Sequence, residues 1–229
     1  MDLGKNIQSA FDFAKKMTED VGRWIVLLII SIIPIVNLIT IGYAARVVKE
    51  TPGSKSPPKL EKYVDLWISG LKVLIAEIIY MIIPIIIFGV GAAAFWGSLM
   101  AGGPGGFGPG KQGWTMLPLA GFGGIMAIIG IIVAFLIAII AIMGLAHMIK
   151  TDKFGKAFAF GEILDIIKKI GWGDYIIWLI VIFVIFIIYG AIGNIPVIGW
   201  LIAGILAPAF VVFIARSIGL TYNAGKGKR

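Results

Sequence analysis

The 229-residue chain contains no cysteine, one histidine and few charges: Asp, Glu, Lys and Arg make up 14% against 59% hydrophobic residues. Without Cys there are no disulfides, no thiol chemistry and no thiolate-held metals. His147 is the sole imidazole, so a metal there would need clustered carboxylates, and the sequence gathers none around it. No His pairs with a Ser nucleophile and no carboxylates cluster; no enzymatic activity and no cofactor are expected. No cleavable leader is expected, since the first apolar run begins only at Trp24, after a mixed-charge segment and without a small-residue cleavage site. Polar surface is too scarce to cover a soluble globule, which leaves an integral membrane protein.

The charges present are clustered. Four basic residues fall in 1–23, six in 46–72, five in 150–172 and four in 216–229, so only Lys111 of the twenty stands apart. Residues 24–45 and 175–215 carry no charge, and 73–149 carry Glu77, Lys111 and His147 alone. Lys and Arg beside short loops stay cytoplasmic, which predicts both termini and two loops inside, with the connections at 101–116 and 191–197 outside. The location expected is the cell membrane, crossed several times. The formal charge of +8 follows from this bias, and no nucleic-acid partner is implied. Attraction to anionic lipid headgroups on the cytoplasmic side is a second effect, about 1 kcal/mol per unpaired basic residue. Eleven of the twelve acids share that face and weaken it.

A crossing takes about 20 apolar residues. Residues 73–100 and 117–149 hold one each, and 175–215 hold two, turning near Gly190, Gly193, Asn194 and Pro196. A series recurs three times over 1–50, 56–150 and 157–219: an amphipathic segment with an apolar-Asp-apolar core, an apolar run broken at Pro, and an end in Ala plus a basic residue. The Asp residues are Asp12, Asp65 and Asp165, the breaks Pro34, Pro84 and Pro196, and the ends Ala45-Arg46, Ala146-His147 and Ala215-Arg216. The first amphipathic stripe reads Ile7, Phe11, Ala14, Met17, Val21, Trp24. The second runs from Leu60 to Leu71, and the third sets Ile163, Ile166, Ile167 and Ile170 against Glu162, Asp165, Lys168 and Lys169. Such helices lie in the headgroup plane. Residues 24–45 are too short for two crossings; they either re-enter, kinked at Pro34 and Asn37, or cross once, and the basic flanks favour re-entry. The expected fold is therefore all-α and polytopic, a single membrane domain over 1–229. It has four full transmembrane helices, an N-terminal re-entrant hairpin and three cytoplasmic interfacial helices, with 220–229 a flexible basic tail.

Gly42-Tyr43 followed by Arg46, the Pro57-Pro58 loop, the Asp65 segment, Gly70-Leu71-Lys72 and the later AFAFGEILDIIKKIGWGDY run carry a resemblance. They resemble a mostly archaeal family of multi-pass membrane proteins, the domain of unknown function 4013. Two features depart from it: the loop after Pro is basic here, not acidic-aromatic, and Arg46 is followed by Val47-Val48 in place of further basic residues. The resemblance implies architecture and no activity.

Glu77 is the only acid inside an apolar run. A charge at bilayer depth costs roughly 2.5–3.5 kcal/mol on insertion scales. It either coordinates a proton or cation, or joins a structural ion pair with Arg46, His147 or Arg216, which end the three repeats at one depth. Asn37 and Asn194, beside Pro34 and Pro196, either line a polar path or cap broken helices. Gly123, Ala127, Gly130, Ala134, Ala138 and Ala141 form a small-residue stripe that admits a neighbouring helix, from the same chain or from a second copy. Residues 105–112 approach a phosphate-loop pattern, but Gln112 replaces the required Ser or Thr, and a flexible linker is expected. The leading expectation is a non-catalytic scaffold, accessory subunit or membrane-shaping protein, partnered by the lipid bilayer and by a second copy or another membrane protein. The alternative is a small transporter or channel for an ion, lipid or apolar metabolite, working through Glu77 and nearby polar residues.

Overall fold

The computed structural model describes residues 1–101 and 111–227, and the described residues are helical with connecting turns. The helices are α1 (Leu3–Lys15), α2 (Val21–Ile32), α3 (Leu38–Glu50), α4 (Tyr63–Ala101), α5 (Lys111–Thr151), α6 (Phe160–Ile170), α7 (Trp172–Gly193) and α8 (Gly199–Lys226), with short 3₁₀ turns at Lys16–Glu19 and Phe154–Phe158. Local chemistry sets several boundaries. Asp2 and Asp20 cap α1 and α2 by accepting the backbone N–H of Lys5 and Arg23, each at 3.0 Å. Gly171, at φ 96°, ends α6 where a side chain would be strained.

Four helices among the described residues are long and apolar enough to cross a membrane: Tyr63–Ser98, Gly121–Thr151, Trp172–Gly193 and Gly199–Lys226. In the most apolar windows of the second and third, only 11% of residues are buried by the protein itself. Apolar side chains left bare over such lengths suit hydrocarbon rather than water. Helix α2 is apolar but, at 12 residues, about 18 Å long.

Two hairpins are built on one turn. In α2–α3, the N–H of Asn37 donates to Ile33 O at 3.0 Å; in α7–α8, the N–H of Gly199 donates to Ile195 O at 2.9 Å. Each turn reads Ile-Pro followed by a β-branched residue, Ile35 or Val197, and both of these sit at φ 70°.

The chain divides into two compact units, Met1–Ala76 with Ile140–Arg229, and Glu77–Ile139. In the first, α8 is central, packed by α1, α3, α6 and α7. Helix α3 crosses the start of α4 at two glycines. A Cβ on Gly42 would collide with the Leu66 carbonyl, and one on Gly70 with that of Leu38. Ala45, Val73, Ala76, Met148 and Ala157 form an apolar cluster beside this crossing. In the second unit α4 and α5 pack through Gly91, Gly123 and Gly130; a Cβ on Gly123 would lie 2.5 Å from Phe95 N.

Several expectations are corrected. The segment Leu60–Leu71 forms no separate helix, because α4 runs unbroken from Tyr63 to Ala101 and keeps Pro84 inside it. From the first stripe Ala14 and Met17 are buried, together with Asn6, Ala10 and Phe13, while Phe11 is 63% and Val21 59% exposed. The polar Asn6 is drawn inward by hydrogen bonds, and Asp20 restarts the helix before Val21, so no single stripe continues to Trp24. Residues 220–226 are not a tail, since α8 continues to Lys226 with Thr221, Tyr222 and Gly225 buried. The motif at 105–112 begins outside the described residues.

Candidate functional site

Polar chemistry in the first unit converges on buried Thr51, just past the end of α3. Its hydroxyl donates to Val47 O at 2.7 Å. The Arg216 guanidinium reaches it from α8, with Nη1 3.3 Å from Thr51 Oγ1 and Nη2 3.3 Å from Pro52 O. The Lys150 amine donates to the carbonyls of Lys49, at 3.1 Å, and Thr51, and Asn223 Nδ2 donates to Thr51 O at 3.0 Å. Close approach is possible because Gly219 faces Thr51: an added Cβ would stand 2.7 Å from Thr51 Cβ. Arg216 is 7% exposed, lies over the Phe13 ring at 4.4 Å, and keeps Nε without a hydrogen-bond partner. Two cations thus meet carbonyls, a hydroxyl and an aromatic face, and neither is paired with a carboxylate among the described residues. Beside them lies a cavity of about 320 Å³, lined by Lys5, Gln8, Ser9, Asp12, Phe13, Lys16, Lys55 and Arg216.

A second cluster ties together α5, α6 and α8. His147 is 1% exposed; its Nε2 lies 2.8 Å from Glu162 Oε2 and its Nδ1 2.8 Å from the Tyr222 hydroxyl. An ionised carboxylate only accepts, so His147 Nε2 carries the proton donated to Glu162. Lys156 holds the other Glu162 oxygen. Hydrogen bonds from Lys156, then His147, push the Glu162 carboxyl down to about 2. A third chain links α7, α8 and α1: Trp178 Nε1 donates to Ser217 Oγ at 2.9 Å, Ser217 Oγ to Asn6 Oδ1 at 2.7 Å, and Asn6 Nδ2 to Thr221 Oγ1 at 3.0 Å.

The residues singled out in the sequence are dispersed. Among the described residues Glu77 makes no hydrogen bond or ion pair, whereas His147 takes Glu162. Arg46 donates to the carbonyls of Lys59 and Glu61, at 3.2 and 2.9 Å. Asn194 Nδ2 bonds the Gly190 carbonyl at 2.8 Å, closing the end of α7, and Asn37 starts α3 without a side-chain cap bond. From the small-residue stripe, Gly123 and Gly130 face α4; a Cβ on Gly130 would lie 2.8 Å from Phe88 N. Thr51, Tyr222, Ser217 and Asn6 gain their meaning from partners remote in the chain, and Glu162 stood out only as part of the polar face of the third stripe. Pro after Thr51 and the recurring Ala-Arg end before Ser217 were the only hints.

Four apolar crossing-length helices and polar clusters gathered where the charges lie define a helical multi-pass membrane protein. Residues 26–198 match the family described as protein of unknown function DUF4013, and the chain belongs to that family. No curated protein and no solved structure matches it.

Proposed function

We propose that the protein is a non-catalytic scaffold of the cell membrane that shapes the bilayer by adding bulk to its cytoplasmic leaflet. The observation carrying this reading is the asymmetry of the first unit. Helices α7 and α8 are long enough to cross, at 22 and 28 residues, whereas α2 and α3, at 12 and 13, reach only about 18 to 20 Å. A short apolar hairpin of this kind re-enters the leaflet from which it started. Beside it α1 and α6 lie in the headgroup plane; α6 buries Ile163, Ile166, Ile167 and Ile170 and exposes Glu162, Asp165, Lys168 and Lys169. The clustered cations set this face on the cytoplasmic side. The shared turn geometry of α2–α3 and α7–α8 supports their origin by duplication of one hairpin, shortened in the first copy. Bare spans then meet lipid, a second copy or another membrane protein.

Reconstitution into liposomes at rising protein density tests this. Electron cryomicroscopy should show vesicle diameter falling or tubules forming as density rises. Diameters and shapes that stay constant would sink the shaping role.

A further inference from the structure

The cavity between α1, residues 51–58 and α8 has chemistry that the scaffold reading leaves unused. Its charged lining is Lys5, Lys16, Lys55 and Arg216 against Asp12, four cations to one acid, a net of three positive charges. Lys16 is fixed across it, Nζ donating to Lys55 O at 2.7 Å. Lys5 is paired with Asp2 at 3.1 Å, while Lys16, Lys55 and Arg216 have no carboxylate partner among the described residues. Arg216 is decisive: it lines the cavity, is more than nine-tenths buried, and the oxygens on its two terminal nitrogens are uncharged. A buried cation without a counter-charge is unfavourable unless an anion supplies one. Planar guanidinium and flexible ammonium groups together suit a phosphate, whose several oxygens accept from all of them.

We propose that Arg216, Lys16 and Lys55 form a binding site for a phosphate-bearing anion. Depth points to a lipid headgroup as its carrier. Helix α8 is uncharged from Gly199 to Ala215 and meets its first charge at Arg216, so the site lies where the apolar length of the helix ends. A free phosphate would satisfy the same side chains, and the lipid assignment rests on the membrane-facing orientation proposed above.

Native mass spectrometry of the full chain in nanodiscs of mixed phosphatidylglycerol and phosphatidylcholine, with a parallel thermal-shift titration of inorganic phosphate in non-ionic detergent, tests the site. Wild type should retain phosphatidylglycerol in preference to phosphatidylcholine. Lys16→Gln/Lys55→Gln, at the protein surface, should weaken that retention about 25-fold, at roughly fivefold per lost cation. Lys168→Gln/Lys169→Gln removes the same charge from α6 and should leave it unchanged. Arg216→Gln should abolish the preference; if that variant fails to fold, the surface double variant decides. Stabilisation by inorganic phosphate that Lys16→Gln/Lys55→Gln removes, without a phosphatidylglycerol preference, would uphold the anion site and reassign its source to a soluble phosphate. Equal loss in both double variants, or no response to either probe, would overturn the site. Because vesicle shape is not measured, this outcome is separate from the scaffold test.

Discussion

Ser217 gives the sharpest energetic test at the scale of one residue. It accepts from Trp178 and donates to Asn6, both in a fully buried setting. Ser217→Ala keeps the volume nearly constant but strands a buried indole N–H and an amide oxygen. The expected loss is about 1–3 kcal/mol, because an unsatisfied buried group costs its full desolvation, and it is readable by denaturant unfolding in detergent. Glu162 gives the pH test. Its folded-state pKa of about 2 lies below the ordinary 4.5, so folding favours the ionised form. That stabilisation is complete above 4.5 and drains away as pH falls toward 2. Thermal unfolding of wild type and Glu162→Gln should therefore differ at neutral pH and converge in that acid window; a constant gap would contradict the pairing with Lys156 and His147. His147 and Arg216 were legible as special from the sequence, being polar residues at the ends of apolar runs. Their partners were not, because Tyr222 and Thr51 lie 75 and 165 positions away and periodicity reports only which face a residue occupies.

Elements show the same division. Three Ile-Pro-Ile/Val breaks look alike in sequence, yet two are tight turns and Pro84 remains inside α4. Proline removes one helical hydrogen bond, a defect that neighbouring helices and local adjustments absorb in an apolar span. What the true turns add is a β-branched residue in the left-handed region, a conformation that costs of order 1–3 kcal/mol outside glycine. Val197 is 86% exposed and contributes little packing. Val197→Gly should thus stabilise the α7–α8 hairpin by about 1 kcal/mol, seen as a higher unfolding temperature in detergent; a clear destabilisation would mean that the side chain is held by something outside the chain. Gly42 makes the opposite case. The α3–α4 crossing leaves no room for a methyl group, so Gly42→Ala should cost about 1–3 kcal/mol or more through overpacking. The third stripe was legible because α6 is a short helix that packs a single apolar face against α8. The first is divided, because α1 and α2 are separated by a 3₁₀ turn and do not share one periodicity.

For the whole molecule, orientation is the quantity on which the proposed roles depend, and the absence of native cysteine makes it directly measurable. A single introduced thiol is the only one present. Asp165→Cys lies on the exposed face of α6, and Lys111→Cys marks the start of α5, on the opposite side according to the charge distribution. In intact cells a membrane-impermeant maleimide should label Lys111→Cys and spare Asp165→Cys, with the pattern reversed in inverted vesicles. Lys55→Cys, within the proposed anion site, should follow Asp165→Cys. The three positions fix the side of the long spans, and a fourth tests the proposed re-entry of α2–α3. With re-entry, residues on either side of that hairpin stay on one face; a single crossing would move residue 2 to the other. Asp2→Cys adds that distinction: labelling in step with Asp165→Cys supports the re-entrant hairpin and, with it, the unequal filling of the two leaflets. Labelling in step with Lys111→Cys would remove the asymmetry on which membrane shaping rests.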